Sequence, residues 1–426
     1  MIDINLFRTP EGIEQVKKSE KNRFKDVSVV DKIVEMDLER IKTQYEYEQI
    51  CKRINYNLKQ IGQNMKVANS PSEKEEILSK YSTIEEKKER DRLLKKLEML
   101  ESSIHEKLNG IGNILDEEVP VHETEDGNKV VREFQCGELP IKIQSFSQLM
   151  SAFINSDAGT RACGHRGYFL EGQMALLANG LRNYAIDFLC SRGYVLIQTP
   201  VMLKKEVMKQ TAQLSDFDEQ LYHISDDNMY LIATSEQPLT TLFMEKRFTD
   251  SELPKMYAGE SLCFRKEAGA HGKDNAGIFR VHQFEKIEQF IICKPEESYA
   301  YHEKMILLAE DFYKTLEIPF RTVLIASGEM NDAASKKYDL EAWFPNAQKY
   351  RELVSASNCT DYQSRNLNVY YGYSKKNEKP QYVHMLNATL CAVQRTLCCL
   401  VENYQDANGK IRVPKVLQKY LNFEYI

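Results

Sequence analysis

Residues 259–293 read GESLCFRKEAGAHGKDNAGIFRVHQFEKIEQFIIC, and the rest of the chain is organised around them. Ser261–Glu267 reads as a strand, and Ile278–Ile292, long, β-branched and aromatic, as the strand that returns. The middle, Gly269–Gly277, is a glycine-rich basic loop rather than a tight two-residue turn. Alternation puts Arg265 and Glu267 on one face, and Arg280, Phe284 and Glu288 on one face of the return strand. A sheet surface of guanidinium groups, carboxylates and a phenyl ring is rarely spent unless something polar lies on it. Guanidinium forks onto phosphate, a ring stacks on a base, and a carboxylate holds an amine or hydroxyl. An exposed hairpin with ordinary cross-strand ion pairs is the plainer alternative.

The length of 426 residues allows two or three domains and a large core. A hydrophobic content of 42% with 28% charged residues fits a soluble globular protein. The formal charge of −6 argues against a broadly basic nucleic-acid coat while leaving room for a local basic track. Ten scattered cysteines without a CxxC pair read as buried or free thiols, and no zinc site is expected from them. The first residues carry acids and lack an apolar core segment, and Leu390–Val401 is short and interrupted by Arg395. A cytoplasmic protein that does not engage a membrane is the expectation.

From Val30 to Met65 apolar side chains recur at spacings of three and four, and a second such run extends from Ile77 to Ile111. Between them, Val67–Ser72 is a turn with Ser72 as a candidate cap ahead of Glu75. The pattern predicts two helices, each about 50 Å long at ~1.5 Å per residue, paired as an antiparallel coiled-coil arm over about 28–110. Residues 28–108 hold 16 Lys/Arg and 16 Asp/Glu, a balance that any solvated coiled coil also shows. A linker over Gly110–Phe134 places the domain boundary near residue 115.

Tyr168–Leu189 reads as a long helix and Gly193–Pro200 as a strand closed by proline. Tyr230–Glu236 reads as a strand ending in Thr234-x-Glu236, which alone suits a helix cap better than a site. In Lys349–Asp361, Glu352 and Ser355 offer oxygens suited to magnesium, or equally a surface ion pair. Leu386–Asn403 reads as a helix packed on the sheet, with Arg395 among small and apolar residues. A guanidinium there needs an anion, either a carboxylate or a phosphate.

FRKE followed by IFRVHQFEKIEQF resembles motif 2 of the class II aminoacyl-tRNA synthetases, in the wording of the seryl-tRNA synthetase family, eukaryotic cytosolic type. The segment at about 168–200 is similar to motif 1, and that at about 386–404 to motif 3. Asn387-Ala-Thr389-Leu stands where bacterial members have Asn-Gly-Ser-Gly, a departure familiar in eukaryotic members. The resemblance spans essentially the whole chain. Neither a GxxxxGK[ST] loop nor a HIGH signature occurs.

The resemblance implies an α+β fold: a mostly antiparallel sheet of six to eight strands flanked by helices, plus the N-terminal two-helix arm. Residues 1–115 would bind tRNA and residues 116–426 would form the catalytic domain, with motif 1 making a homodimer. The implied activity is serine–tRNA ligation with ATP as substrate and Mg²⁺ as metal. The arm would grip tRNA(Ser), with tRNA(Sec) a further candidate. Lys52, Arg53, Lys59, Lys66, Lys87, Lys88, Arg90, Arg92, Lys95 and Lys96 are candidate phosphate contacts.

Arg265, Arg280 and Arg395 would be the catalytic cations. Thr234, Ser235, Glu236, Arg265, Glu288, Asn387 and Thr389 would hold L-serine, with Glu288 and Thr389 the candidates for its hydroxyl. ATP would meet Arg265, Lys266, Glu267, Val281, Phe284, Glu352, Leu353, Val354, Ser355 and Arg395, with Glu352 and Ser355 on the metal. Two alternatives are a class II enzyme specific for threonine and a catalytically dead synthetase-like RNA-binding protein.

Overall fold

The computed structural model describes residues 1–135, 137–142, 144–211, 220–267, 277–372 and 381–426. It divides into two compact units, one of Asp3–Lys21 with Lys25–Ile111, the other of Met1–Ile2, Asn22–Phe24 and Gly112–Ile426.

The first unit contains most of α1 (Pro10–Asn22), together with α2 (Ser28–Asn64), α3 (Pro71–Lys80) and α4 (Ile84–Asn109). Helices α2 and α4 run antiparallel, since Glu39 pairs with Lys96 while Tyr47 and Cys51, further along α2, lie near Arg90. Ile54, Leu93, Leu97, Ile104 and Leu108 are buried. The predicted second helix is two: α3 buries none of its residues, so no packing carries the helix through Tyr81–Thr83. Its cap is Ser70, not Ser72. The Ser70 hydroxyl accepts from the Glu73 amide, and Pro71 takes the first helical position, where a missing N–H costs nothing.

The second unit is built on eight strands: β1 (Lys129–Phe134), β2 (Val195–Gln198), β3 (Lys255–Phe264), β4 (Gln283–Cys293), β5 (Phe320–Leu324), β6 (Lys336–Phe344), β7 (Lys349–Asn358) and β8 (His384–Ala392). They form one sheet in the order β1-β5-β6-β7-β8-β4-β3-β2. Every neighbouring pair is antiparallel except β2 with β3. Helices α5 (Gly172–Cys190), α7 (Ser298–Thr315) and α9 (Val393–Asn403) flank it. Leu177, Leu181 and Phe188 of α5, Met305 and Phe312 of α7, and Leu397 and Val401 of α9 join one core with the sheet. The expected α+β architecture is the one observed.

Local readings needed correction. Leu386–Asn403 is not one helix: His384–Ala392 is a strand, and only Val393–Asn403 is helical. Strand β8 lies between β7 and β4 and is buried on both faces, so its small apolar run mimics a buried helix in sequence. Tyr230–Glu236 is strand only at Met229–Leu231, and Glu236 opens the short helix α6 (Glu236–Thr241). Arg265, Glu267 and Arg280 lie beyond the ends of β3 and β4, so strand alternation does not set their directions. Glu267 has φ of 54°, where the chain turns off the sheet. Most of the glycine-rich loop, 268–276, lies outside the described residues.

Candidate active site

Above β3, β4, β7 and β8 lies a cavity of about 480 Å³. Phe284, Lys286 and Glu288 project into it from alternate positions of β4, Glu352 and Ser355 from β7, and Asn387 and Thr389 from β8. Arg265, Glu267, Arg280 and Val281 enter from the segments beyond β3 and before β4, and Arg395 from the first turn of α9. Thr234 and Glu236 close one end. Chain segments more than a hundred residues apart thus share one hollow.

Three expected residues do not line it. Ser235 is fully buried beneath the wall, Val354 is fully buried in β7, and the Lys266 amide donates to the Gln220 carbonyl at the cavity's rim.

At the Thr234 end, Glu288 is 3% exposed and is the hub of a dense network. Its Oε2 accepts from the Thr234 hydroxyl at 2.6 Å, the Ser235 hydroxyl at 2.5 Å and the Glu236 amide at 3.3 Å. Its Oε1 lies 2.6 Å from Lys286 Nζ. Ser235 reaches this carboxylate because Gly259 lies beside it: a Cβ there would sit 2.6 Å from the Ser235 hydroxyl oxygen. Burial pushes the Glu288 carboxyl up, but Lys286 and the two hydroxyls overcome it and hold the group below its ordinary value.

Glu236 goes the other way. Burial, then the charge on Glu288, push it up to about 7, against a hydrogen bond from Gln363 at 2.6 Å.

The arginines of the cavity are more loosely held. Arg395 Nη1 lies 3.4 Å from Glu352 Oε2, and its guanidinium carbon 5.1 Å from the Phe279 ring centre. The Arg265 guanidinium carbon sits 5.4 Å from the Phe284 ring centre, and its Nε is 3.4 Å from the Ala233 carbonyl. Arg280 differs, because its Nη1 is 2.6 Å from Glu267 Oε2. Enclosure by the cleft raises the Glu352 carboxyl, but Arg395, Lys337, Arg265 and Lys286 together bring it below its ordinary value.

Sequence reasoning missed Lys286, Lys337, Phe279 and Gln363, all of which line the cavity. The signal for Lys286 was present, because it lies two residues from both Phe284 and Glu288 on one strand face. Lys337 faces in from β6, and Gln363 from the helix α8 (Tyr362–Leu367), with no local pattern to mark either.

Residues 1–115 match the family model described as the seryl-tRNA synthetase N-terminal domain. Residues 222–404 match the tRNA synthetase class II core domain (G, H, P, S and T). A serine–tRNA ligase of Encephalitozoon cuniculi is 51% identical, over 100% of this chain and 99% of that protein. The chain belongs to the seryl-tRNA synthetase family. Among solved members of that family, cytoplasmic serine–tRNA ligase from Naegleria fowleri in complex with AMP superposes with TM-score 0.88 at 42% identity, covering 100% of this chain and 98% of that one. Seryl-tRNA synthetase from Pyrococcus horikoshii complexed with ATP gives TM-score 0.91 at 36% identity, covering 100% and 99%.

Proposed function

We propose that the chain is a serine–tRNA ligase, which activates L-serine with ATP as seryl-adenylate and passes the seryl group to the 3′ end of tRNA(Ser) with release of AMP. The observation that carries this reading is the single hollow shared by Arg265, Arg395, Glu352 and Glu288. It offers cations for a polyphosphate at one end and a buried carboxylate with hydroxyls for a small amino acid at the other.

In the first step the serine carboxylate attacks the α-phosphorus and pyrophosphate leaves. No protein nucleophile is required, so the rate comes from alignment and from charge placed around the transferring group. Arg265 bridges the serine carboxylate and the α-phosphate. Phe284 stacks on adenine, with Glu267 and the Val281 backbone at its edge. Arg280 and Arg395 steady the outer phosphates. Thr234, Glu236 and Glu288 hold the ammonium and hydroxyl of serine, with Asn387 and Thr389 beside them. A pocket built to hydrogen-bond a hydroxyl rejects alanine strongly, because its buried acceptor would be left unpaired.

Mg²⁺ fits the Glu352 and Ser355 side. Both offer oxygen to the cavity, and behind them stands the buried carboxyl of Asp339, opposite Ser355 in the sheet, whose Oδ1 has no partner by hydrogen-bond geometry among the described residues. Glu352 and Ser355 would hold the ion, which supplies charge to the phosphate oxygens when bound.

Residues 1–115 serve as the tRNA-binding domain through the arm, and 116–426 as the catalytic domain. Motif 1, at about 168–200, forms the homodimer contact. Exposed Phe169, Leu176, Val195 and Leu196 in that segment support this reading. The cytoplasm is the proposed location, in keeping with the Naegleria relative described as cytoplasmic. Pyrophosphate exchange measured with each of the twenty amino acids tests the activity: exchange with serine is expected, and exchange only with another amino acid overturns it.

A further inference from the structure

Lysine is costly to bury, and Lys286 is 7% exposed at the floor of the cavity. Two contacts offset that cost. Its Nζ lies 2.6 Å from Glu288 Oε1 and donates to the Thr234 hydroxyl oxygen at 2.9 Å. The same Thr234 hydroxyl donates its single proton to Glu288 Oε2 at 2.6 Å. Lysine, glutamate and threonine therefore form a closed ring in which every direction of donation is set. The ring joins two of the groups assigned to the serine substrate, and Lys286 is the member that had no role.

We propose that Lys286 is a positioning residue of the amino-acid subsite, fixing the ionisation of Glu288 and the direction of the Thr234 hydroxyl so that both meet serine already oriented. The proposal rests on the serine–tRNA ligase reading and deepens it. Without the ammonium, the Thr234 hydroxyl loses a donor, and a carboxylate that is 3% exposed loses its only contact within salt-bridge distance among the described residues. Among the described residues, the other charged or titratable groups around the Lys286–Glu288 pair are Glu236 at the start of α6, Cys263 on β3, Arg265 beyond β3 and Glu352 on β7. Strand β8 presents Asn387 and Thr389, which do not ionise.

Lysine can also be a plain structural ion pair, and the two roles separate in kinetics. In serine-dependent pyrophosphate exchange, Lys286→Met is expected to raise the KM for serine about 10- to 100-fold, the range for loss of a charged hydrogen bond. The KM for ATP should stay within about threefold, because the phosphate-binding cations are untouched. Glu288 without its cation ionises at higher pH, so the acid limb of kcat/KM for serine should move upward in pH. Lys286→Arg keeps the charge and should retain the parental acid limb even where its bulk raises KM.

A folded Lys286→Met enzyme with parental serine KM and parental acid limb overturns the proposal, whatever its melting temperature. Should that variant not fold, Lys286→Gln decides: raised serine KM with unchanged ATP KM and an acid limb moved upward in pH supports the proposal, and parental serine KM or equal change in both overturns it. Parental exchange with serine is the control that separates this proposal from the activity itself. Its absence would remove the ligase reading, whereas parental exchange with an unaffected Lys286 variant removes only the positioning role.

Discussion

The two ends of the cavity are held by different means. Around Glu288, two hydroxyls and a buried ammonium make contacts of 2.5–2.6 Å to one carboxylate. At the phosphate end, Arg265 and Arg395 make polar contacts of 3.4 Å and lie against aromatic rings. The first end is finished before any ligand arrives. The second keeps guanidinium groups oriented by stacking, which leaves their N–H donors for an anion. A small zwitterion needs a preset pocket for discrimination, whereas a flexible polyphosphate needs charge it can fold around.

The largest expected effect sharpens this contrast. Arg265→Ala should lower serine-dependent exchange about 10²- to 10³-fold, the loss typical for one preorganised group at a developing charge. Near-parental exchange would break the assignment of that end. Its melting temperature should barely move, because Arg265 takes part in no ion pair among the described residues and its contact to the Ala233 carbonyl is a long 3.4 Å.

Glu288→Ala should lower exchange too but, unlike Arg265→Ala, should also unsettle the fold. Removing one partner of a buried pair costs about 3–5 kcal/mol, read as a lower midpoint in chemical denaturation. Arg395→Ala, by contrast, removes long contacts to a half-exposed Glu352 and a ring contact to Phe279, and should cost less than about 1 kcal/mol. Equal destabilisation by the two variants would erase the distinction between the ends.

Arg280→Ala sits between these cases. Its guanidinium is already committed to Glu267 at 2.6 Å, so less of its charge is free for phosphate. Exchange should fall about tenfold, visibly less than for Arg265→Ala. A larger loss than Arg265→Ala would show that the Glu267 pair opens on ATP.

The smallest effect concerns pH. The Glu236 carboxyl titrates at about 7 when folded, against an ordinary 4.5. A raised folded pKa contributes stability below the ordinary value, and that stability is lost as pH rises through about 7. Glu236→Gln removes this dependence. Its melting temperature should therefore fall less than the parent's between pH 5 and 8, by about a few degrees. Identical pH profiles would mean that Glu236 is ionised throughout.

How far the sequence alone reached depends on the kind of signal. The arm was legible because apolar spacing of three and four needs only its own helix to express it. Its interruption at Tyr81–Thr83 was not, since that depends on whether α3 has anything to pack against. Phe284 and Glu288 were placed correctly by alternation along β4, but Arg265, Glu267 and Arg280 were put on strands that end before reaching them. They reach the cavity through turns whose geometry, such as the positive φ of Glu267, leaves no local mark.

Residue types and their order along the chain were enough to identify the family, the α+β class and half of the residues that line the cavity. Those features lie in short local words, each readable without knowing its neighbours in space. Only the tertiary structure decided that His384–Ala392 is a central strand, that Arg280 is tied to Glu267, and that Lys286 closes a ring with Glu288 and Thr234. Each of these depends on what packs beside a residue, and in a low-dielectric interior the nearest partner, not the residue type, sets hydrogen bonding and charge.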